Sequence, residues 1–114
     1  MTEAKYEMII CIVNAGFSGI VMEAAKKEGT GGGTVIHARG TADKEAEQFF
    51  HISVQSEKDV VMMVVPAGIK DNVLHAIYRK IGPDTEGQGI AFSVPVSKAI
   101  GLSYDGDTMN KGIL

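Results

Sequence analysis

The chain has no tryptophan, a single cysteine, Cys11, and only three prolines among its 114 residues. One cysteine cannot form an internal disulfide, so we expect a protein of the reducing cytoplasm. Basic residues are not in excess: the net charge is -3, which gives no electrostatic case for nucleic-acid binding. The longest apolar runs, such as Val60–Pro66, are too short to cross a bilayer, and we expect no signal peptide in the polar residues 1–7.

Hydrophobic residues make up 45% of the chain and charged residues 22%, a balance typical of a folded globular protein. The length and the lack of a linker-like stretch predict one domain over residues 1–114. Two polar stretches predict a flexible loop near residues 40–50 and a loose tail from about Tyr104.

Hydrophobic periodicity predicts alternating strands and helices. Short apolar runs predict strands at 8–13, 34–39, 49–55, 60–65 and 90–96. Apolar residues at helical spacing predict helices from Phe17 to Gly29 and from Pro66 to Gly82, and Lys58-Asp59 is predicted to be a turn. This order, with an additional hairpin in the middle, predicts an α+β fold: a ferredoxin-like βαββαβ sandwich with an antiparallel four-stranded sheet.

The first strand is apolar on both faces, because Met8, Ile10 and Ile12 alternate with three equally apolar neighbours. Two helices can cover only one face of a four-stranded sheet. Leaving the other face in water would cost on the order of 25 cal/mol per Å2 of apolar surface. We therefore expect this face to pack against other copies of the chain; the alternative is that the terminal segments fold over it.

Three glycine-rich or basic features suggest a ligand site, and each has a plainer alternative. Gly31–Gly33 either cradles a phosphate through its N–H groups or forms a turn between helix and strand. Gly87–Gly89 either lets its backbone approach a ligand or is an ordinary turn. Arg39 either contacts an anionic ligand or is a solvated charge.

The remaining reactive residue types do not predict a metal centre or a catalytic site. His37, His51 and His75 lack the close spacing of zinc ligands, and we expect His75 on the polar side of its helix. Cys11 lies in the middle of a strand, where a packing role is expected. The charged run at 43–47 is either a solvated loop or a loop that orders on a partner.

Four segments together resemble the PII signal-transduction (nitrogen regulatory) family. Thr30–Gly40 reads TGGGTVIHARG, like the family's second strand and the start of its T-loop. Val64–Pro66 is similar to the family's strand-ending VVP, and Gly87–Phe92 with Val94–Val96 is similar to its B-loop and last core strand.

The resemblance implies a homotrimer that binds ATP, ADP or AMP as an effector between subunits, with no firm cofactor and no catalytic residue. It implies that the T-loop controls a partner, such as a membrane transporter or a metabolic enzyme. The implied ligand-binding residues are Gly32, Gly33, Thr34, Arg39, Gly40, Gly87, Gln88 and Gly89. The implied partner-binding loop contains Thr41, Asp43, Lys44, Glu45, Glu47 and Phe49.

The chain differs from the family at charged positions of the ligand site. The position of the family's phosphate-binding lysine is occupied by Ile90, and that of its aspartate by Gln88. A ligand with less charge than a triphosphate is therefore an alternative. No tyrosine lies between Tyr6 and Tyr78, so we expect no control by uridylylation. A metal-binding ferredoxin-like trimer and a small ferredoxin-like enzyme are the alternative functions.

Overall fold

The computed structural model describes residues 5–41 and 56–102. Within them, four strands and two helices follow one another in the predicted order. The strands are β1 (Tyr6–Asn14), β2 (Thr34–Arg39), β3 (Glu57–Pro66) and β4 (Ile90–Val96). The helices are α1 (Ser18–Lys27) and α2 (Lys70–Ile81), and a 3-10 turn (Ala67–Ile69) leads into α2.

The four strands form one antiparallel sheet in the order β2-β3-β1-β4. The register is fixed in the middle of the sheet by Ile10, which lies opposite Met62 of β3 and Phe92 of β4. This topology confirms the predicted α+β ferredoxin-like fold.

The core lies between one face of the sheet and the two helices. Every second residue of β1 and β3 is buried there, because successive side chains of a strand point to opposite faces. The fully buried side chains are Ile9, Cys11 and Val13 of β1, Val61, Met63 and Val65 of β3, Val21 and Ala25 of α1, and Val73, Ile77 and Ile81 of α2. The predicted packing role of Cys11 and the exposure of His75 are both confirmed.

The other face of the sheet carries three apolar rows that neither helix covers. Ile36, Val60, Ile12 and Ile90 form one row across the four strands. Ile36, Ile90, Phe92 and Val94 are 43 to 55% exposed. We call this surface the open sheet face; it consists of Met8, Ile10, Ile12, Ile36, Val60, Met62, Val64, Ile90, Phe92 and Val94.

The predicted turn at Lys58-Asp59 is wrong. Both residues lie in β3, which begins at Glu57 and is paired with β1 on one side and β2 on the other. A central strand can hold these polar residues because their side chains find partners at the end of the sheet. The predicted strand at 49–55, most of the loop at 40–50 and the tail from Tyr104 lie outside the described residues.

Candidate functional site

Polar side chains gather where β1 ends and β3 begins. The register places Ala38 of β2, Lys58 of β3 and Asn14 of β1 in one line across the sheet. The segment between α2 and β4 reaches the same place, because the Asn14 N–H donates to the Gly87 carbonyl at 2.9 Å. We call this region the sheet-end cluster; it contains Asn14, His37, Arg39, Lys58, Asp59 and residues 86–89.

Asn14 joins the 86–89 segment to β3. It is only 5% exposed, and its side-chain Nδ2 donates to the Glu86 carbonyl at 2.9 Å. Its Oδ1 accepts a hydrogen bond from Lys58 Nζ at 2.7 Å. A buried amide with both ends satisfied holds its neighbours in fixed positions. Asn14 therefore fixes the 86–89 segment relative to the first residues of β3.

Asp59 is a carboxylate buried in the same region, with 3% of its surface exposed. Its Oδ1 lies 2.8 Å from His37 Nδ1, and its Oδ2 accepts the Gly16 N–H at 3.1 Å. The hydrogen bond with His37, followed by the one from Gly16, lowers the pKa of Asp59 below its usual value, although burial opposes this. Asp59 is thus ionised near neutral pH and ties β2 to the turn before α1.

Two basic side chains extend into solvent on one side of β2. His37 and Arg39 are two residues apart, so they lie on the same face of the strand. Both are exposed, and within residues 5–41 and 56–102 no carboxylate lies close enough to form an ion pair with Arg39. Lys58 belongs to the opposite face of the sheet, where it contacts Asn14.

The eight predicted ligand-binding residues do not all meet in one chain. Arg39 and Gly40 lie at the sheet-end cluster, where the Gly40 N–H donates to the Ser56 carbonyl at 2.6 Å. The 87–89 segment lies at the same end of the sheet. Gly32, Gly33 and Thr34, by contrast, stand at the start of β2, and five strand steps of about 3.4 Å place Thr34 about 17 Å from Arg39.

Packing explains two of the glycines in the 87–89 segment. A Cβ added to Gly89 would clash with Ile81 and would come within 2.7 Å of Val13 Cγ1. A Cβ added to Gly87 would lie 3.0 Å from Ile81 Cβ. Both glycines are buried, whereas Gln88 is exposed and has a φ of 45°. Gln88 is therefore the residue of this segment whose side chain can meet a ligand from solvent.

Sequence reasoning missed three members of the sheet-end cluster, Asn14, Lys58 and Asp59, and gave His37 no role in binding. The available signal was weak: each missed residue is a polar side chain at the end of an otherwise apolar strand. Of the predicted partner-binding loop, Thr41 is exposed. Its other members, Asp43, Lys44, Glu45, Glu47 and Phe49, lie outside the described residues.

Cys11 is unsuited to catalysis as a thiolate. It is fully buried, and burial raises the pKa of its thiol to about 12. In the described part of the chain, no three or more His, Cys, Asp or Glu side chains come together as a metal site would require. Neither of the two helices described is long and apolar enough to span a membrane.

No protein-family model matches the chain, and no curated protein matches it in sequence. The fold of the chain does match that of several solved structures. Arabidopsis thaliana PII, bound to citrate, has a TM-score of 0.68 and 22% identity over 98% of this chain and 94% of its own. The B. subtilis GlnK-ATP complex has a TM-score of 0.60 and 16% identity over 85% of this chain and 86% of its own.

A third match is CPII, a nitrogen regulatory PII-like protein from Thiomonas intermedia K12, bound to ADP, AMP and bicarbonate. Its TM-score is 0.58, with 11% identity over 83% of this chain and 96% of its own. The chain therefore has the fold of PII and PII-like proteins, which confirms the fold that the sequence motifs predict.

Proposed function

We propose that this chain is a PII-like regulatory protein and not an enzyme. It binds a small anionic effector, in the first place an adenine nucleotide, at the sheet-end cluster. One observation carries the proposal. Arg39-Gly40 and the 87–89 segment are distant in sequence but lie at the same end of the sheet, where hydrogen bonds of Asn14 and Lys58 join them. ATP, ADP and AMP in proteins of the same fold support the choice of ligand class.

A homotrimer explains why the predicted residues are split within one chain. Gly32, Gly33 and Thr34 lie at the opposite end of β2 from Arg39. The open sheet face needs a cover, and a neighbouring copy that packs there could bring its own glycine-rich turn to the sheet-end cluster. In this proposal the effector lies between subunits and helps to hold them together.

The partner is controlled through the segment that follows Thr41. The residues that flank this segment are held at the sheet-end cluster by hydrogen bonds. Gly40 is hydrogen-bonded to Ser56, and Lys58 is hydrogen-bonded to Asn14. An effector that binds one arrangement of these flanking residues more tightly favours one form of the segment. One form of the segment fits the partner and the other does not. A membrane transporter or a metabolic enzyme in the cytoplasm is the proposed partner, and nitrogen status is one candidate signal.

A ligand with less charge than a triphosphate is the second candidate. The described segment 86–90 reads EGQGI and contains no cation, so a chain of phosphates would find little charge compensation there. AMP or a carboxylate compound requires fewer cations. AMP in the Thiomonas protein and citrate in the Arabidopsis protein support this version.

Isothermal titration calorimetry with ATP, ADP and AMP tests the proposal, with Arg39→Ala as the variant and Arg79→Ala as the control. Arg79 is an exposed residue on α2 and is not a member of the sheet-end cluster. Losing a charge-assisted hydrogen bond should weaken binding by about tenfold or more in Arg39→Ala only. Binding of none of the three nucleotides would contradict the proposed ligand, and equal affinity in Arg39→Ala would contradict the proposed site.

A further inference from the structure

His37 is held by a buried partner while its own ring lies in solvent. The side chain of His37 is 89% exposed, whereas that of Asp59 is 4% exposed. Asp59 is in turn anchored by the Gly16 N–H and by the Ser18 hydroxyl. An exposed imidazole would ordinarily sample many orientations, so this 2.8 Å contact selects one.

Asp59 also determines which ring nitrogen of His37 is available to a ligand. Asp59 is ionised and can only accept, so Nδ1 of His37 carries the hydrogen in the bond between them. Nε2 is therefore free to face solvent. In the neutral ring, Nε2 is a hydrogen-bond acceptor. In the imidazolium, Nε2 is a second donor and the ring carries a positive charge.

Arg39 supplies a second cation on the same face of β2. It lies two residues further along the strand, about 7 Å from His37 between Cα atoms. Its side chain is exposed, and Glu57, its neighbour across the strand pair, forms no ion pair with it. Two donors on the same face of a strand at this separation can both reach the oxygens of one tetrahedral anion.

We infer that His37 and Arg39 form a two-point site for a phosphate group of the effector, in which His37 binds only as the imidazolium. The inference rests on the proposed function, because it specifies which part of the effector the sheet-end cluster recognises. It makes effector binding sensitive to pH: the site holds phosphate when His37 is protonated and loses one of its two contacts when His37 is neutral.

Among residues 5–41 and 56–102, few charged groups lie around His37. From β3, the Asp59 carboxylate contacts the ring directly, and Glu57 lies two register pairs further on. From β2, Arg39 adds a positive charge two residues along the strand. The turn before α1 contributes the uncharged Gly16 N–H and Ser18 hydroxyl to Asp59, and Lys58 lies on the other face. A bound phosphate between His37 and Arg39 would offset the repulsion between the two cations.

NMR of the histidine rings tests the inference directly, with inorganic sulfate as the probe. Sulfate is a tetrahedral dianion whose charge does not change between pH 6 and pH 9. An ordinary imidazole is mostly protonated at pH 6 and neutral at pH 9. We expect sulfate to shift the His37 ring signals at pH 6 with an affinity about tenfold higher than at pH 9. His75, exposed on α2, provides the control signal in the same spectrum.

Two substitutions complete the test. His37→Gln should lose about tenfold in sulfate affinity at pH 6 and none at pH 9, while His75→Gln matches the unmodified chain at both values. Equal affinity at the two pH values, or a His37→Gln chain that binds as well as the original, would overturn the inference.

AMP and ATP added to the same samples separate this inference from the proposed function. If sulfate shifts His37 as expected but no adenine nucleotide binds, the phosphate site stands and the nucleotide proposal fails. If a nucleotide binds with the same affinity at pH 6 and pH 9, allowing for the protonation of its own phosphate, the nucleotide proposal stands and the role of His37 is refuted.

Discussion

Asp59 links three segments through its two carboxylate oxygens, so its ionisation contributes to the stability of the fold. It receives the His37 ring from β2 and the Gly16 N–H from the turn before α1. Its pKa is lowered in the folded chain. In the unfolded chain, an aspartate has a pKa of about 3.9. The stabilisation is therefore complete above that value and is lost as the pH falls through the lower, folded value.

Asp59→Asn should reduce the free energy of unfolding at neutral pH by about 1 to 3 kcal/mol, because the charge-assisted hydrogen bonds of the buried carboxylate are lost. It should also flatten the loss of stability below pH 4, since no proton is then taken up at this position on unfolding. Urea unfolding at pH 7, 4 and 3 measures both effects. Asp84→Asn, at an exposed position, is the control. An unchanged acid dependence in Asp59→Asn would show that Asp59 does not contribute to it.

At the residue scale, the sequence allows the prediction of buried apolar residues and not of polar pairs. Cys11 could be assigned to the core because its neighbours in the strand are apolar on both sides. The contact between His37 and Asp59 could not be found, because 22 positions separate them and the strand register that joins them depends on the whole sheet. Arg39 was identified through a family motif, whereas Asn14 and Lys58 matched no motif.

At the scale of elements, β2 and β4 have the bounds that their sequences predict. Each begins directly after a glycine, Gly33 for β2 and Gly89 for β4, and β2 ends before Gly40. β3 begins earlier than predicted because Lys58 and Asp59 read as a turn, while cross-strand pairing on both sides keeps them in the strand. α2 starts later than predicted, after a 3-10 turn at Ala67–Ile69, which local periodicity does not distinguish from the first turn of an α-helix.

The contact between β4, α2 and β1 depends on the absence of a side chain at residue 89. Gly89→Ala places its Cβ against Ile81 and within 2.7 Å of Val13 Cγ1, which is closer than packed carbon atoms normally approach. We expect a loss of about 1 to 3 kcal/mol in the free energy of unfolding, measured by urea titration.

Gly19→Ala is the matched control for Gly89→Ala. Gly19 lies in α1 with nothing within 4 Å of an added Cβ, so the same substitution should stabilise the chain by about 0.5 to 1 kcal/mol. If Gly89→Ala were as stable as Gly19→Ala, the described packing of the 87–89 segment would be incorrect. In that case a ligand-facing role for Gly89 would regain support.

At the scale of the whole molecule, the open sheet face is the feature that the account must explain. Ten apolar side chains in three rows lie on it. The alternation of apolar residues on both faces of β1 allowed this face to be predicted from the sequence. What covers it could not be predicted by periodicity, because a strand pattern does not distinguish a neighbouring subunit from another part of the same chain.

The mass of the protein in solution, measured by sedimentation equilibrium at micromolar concentration, tests the central claim most directly. We predict a species of about 36 kDa, three copies of the 12.1 kDa chain. Phe92→Lys, in the middle row of the open sheet face, should convert it to single subunits, and Tyr78→Lys, exposed on α2, should not. A folded, stable 12.1 kDa monomer of the unmodified chain would contradict the claim that copies of the chain cover this face.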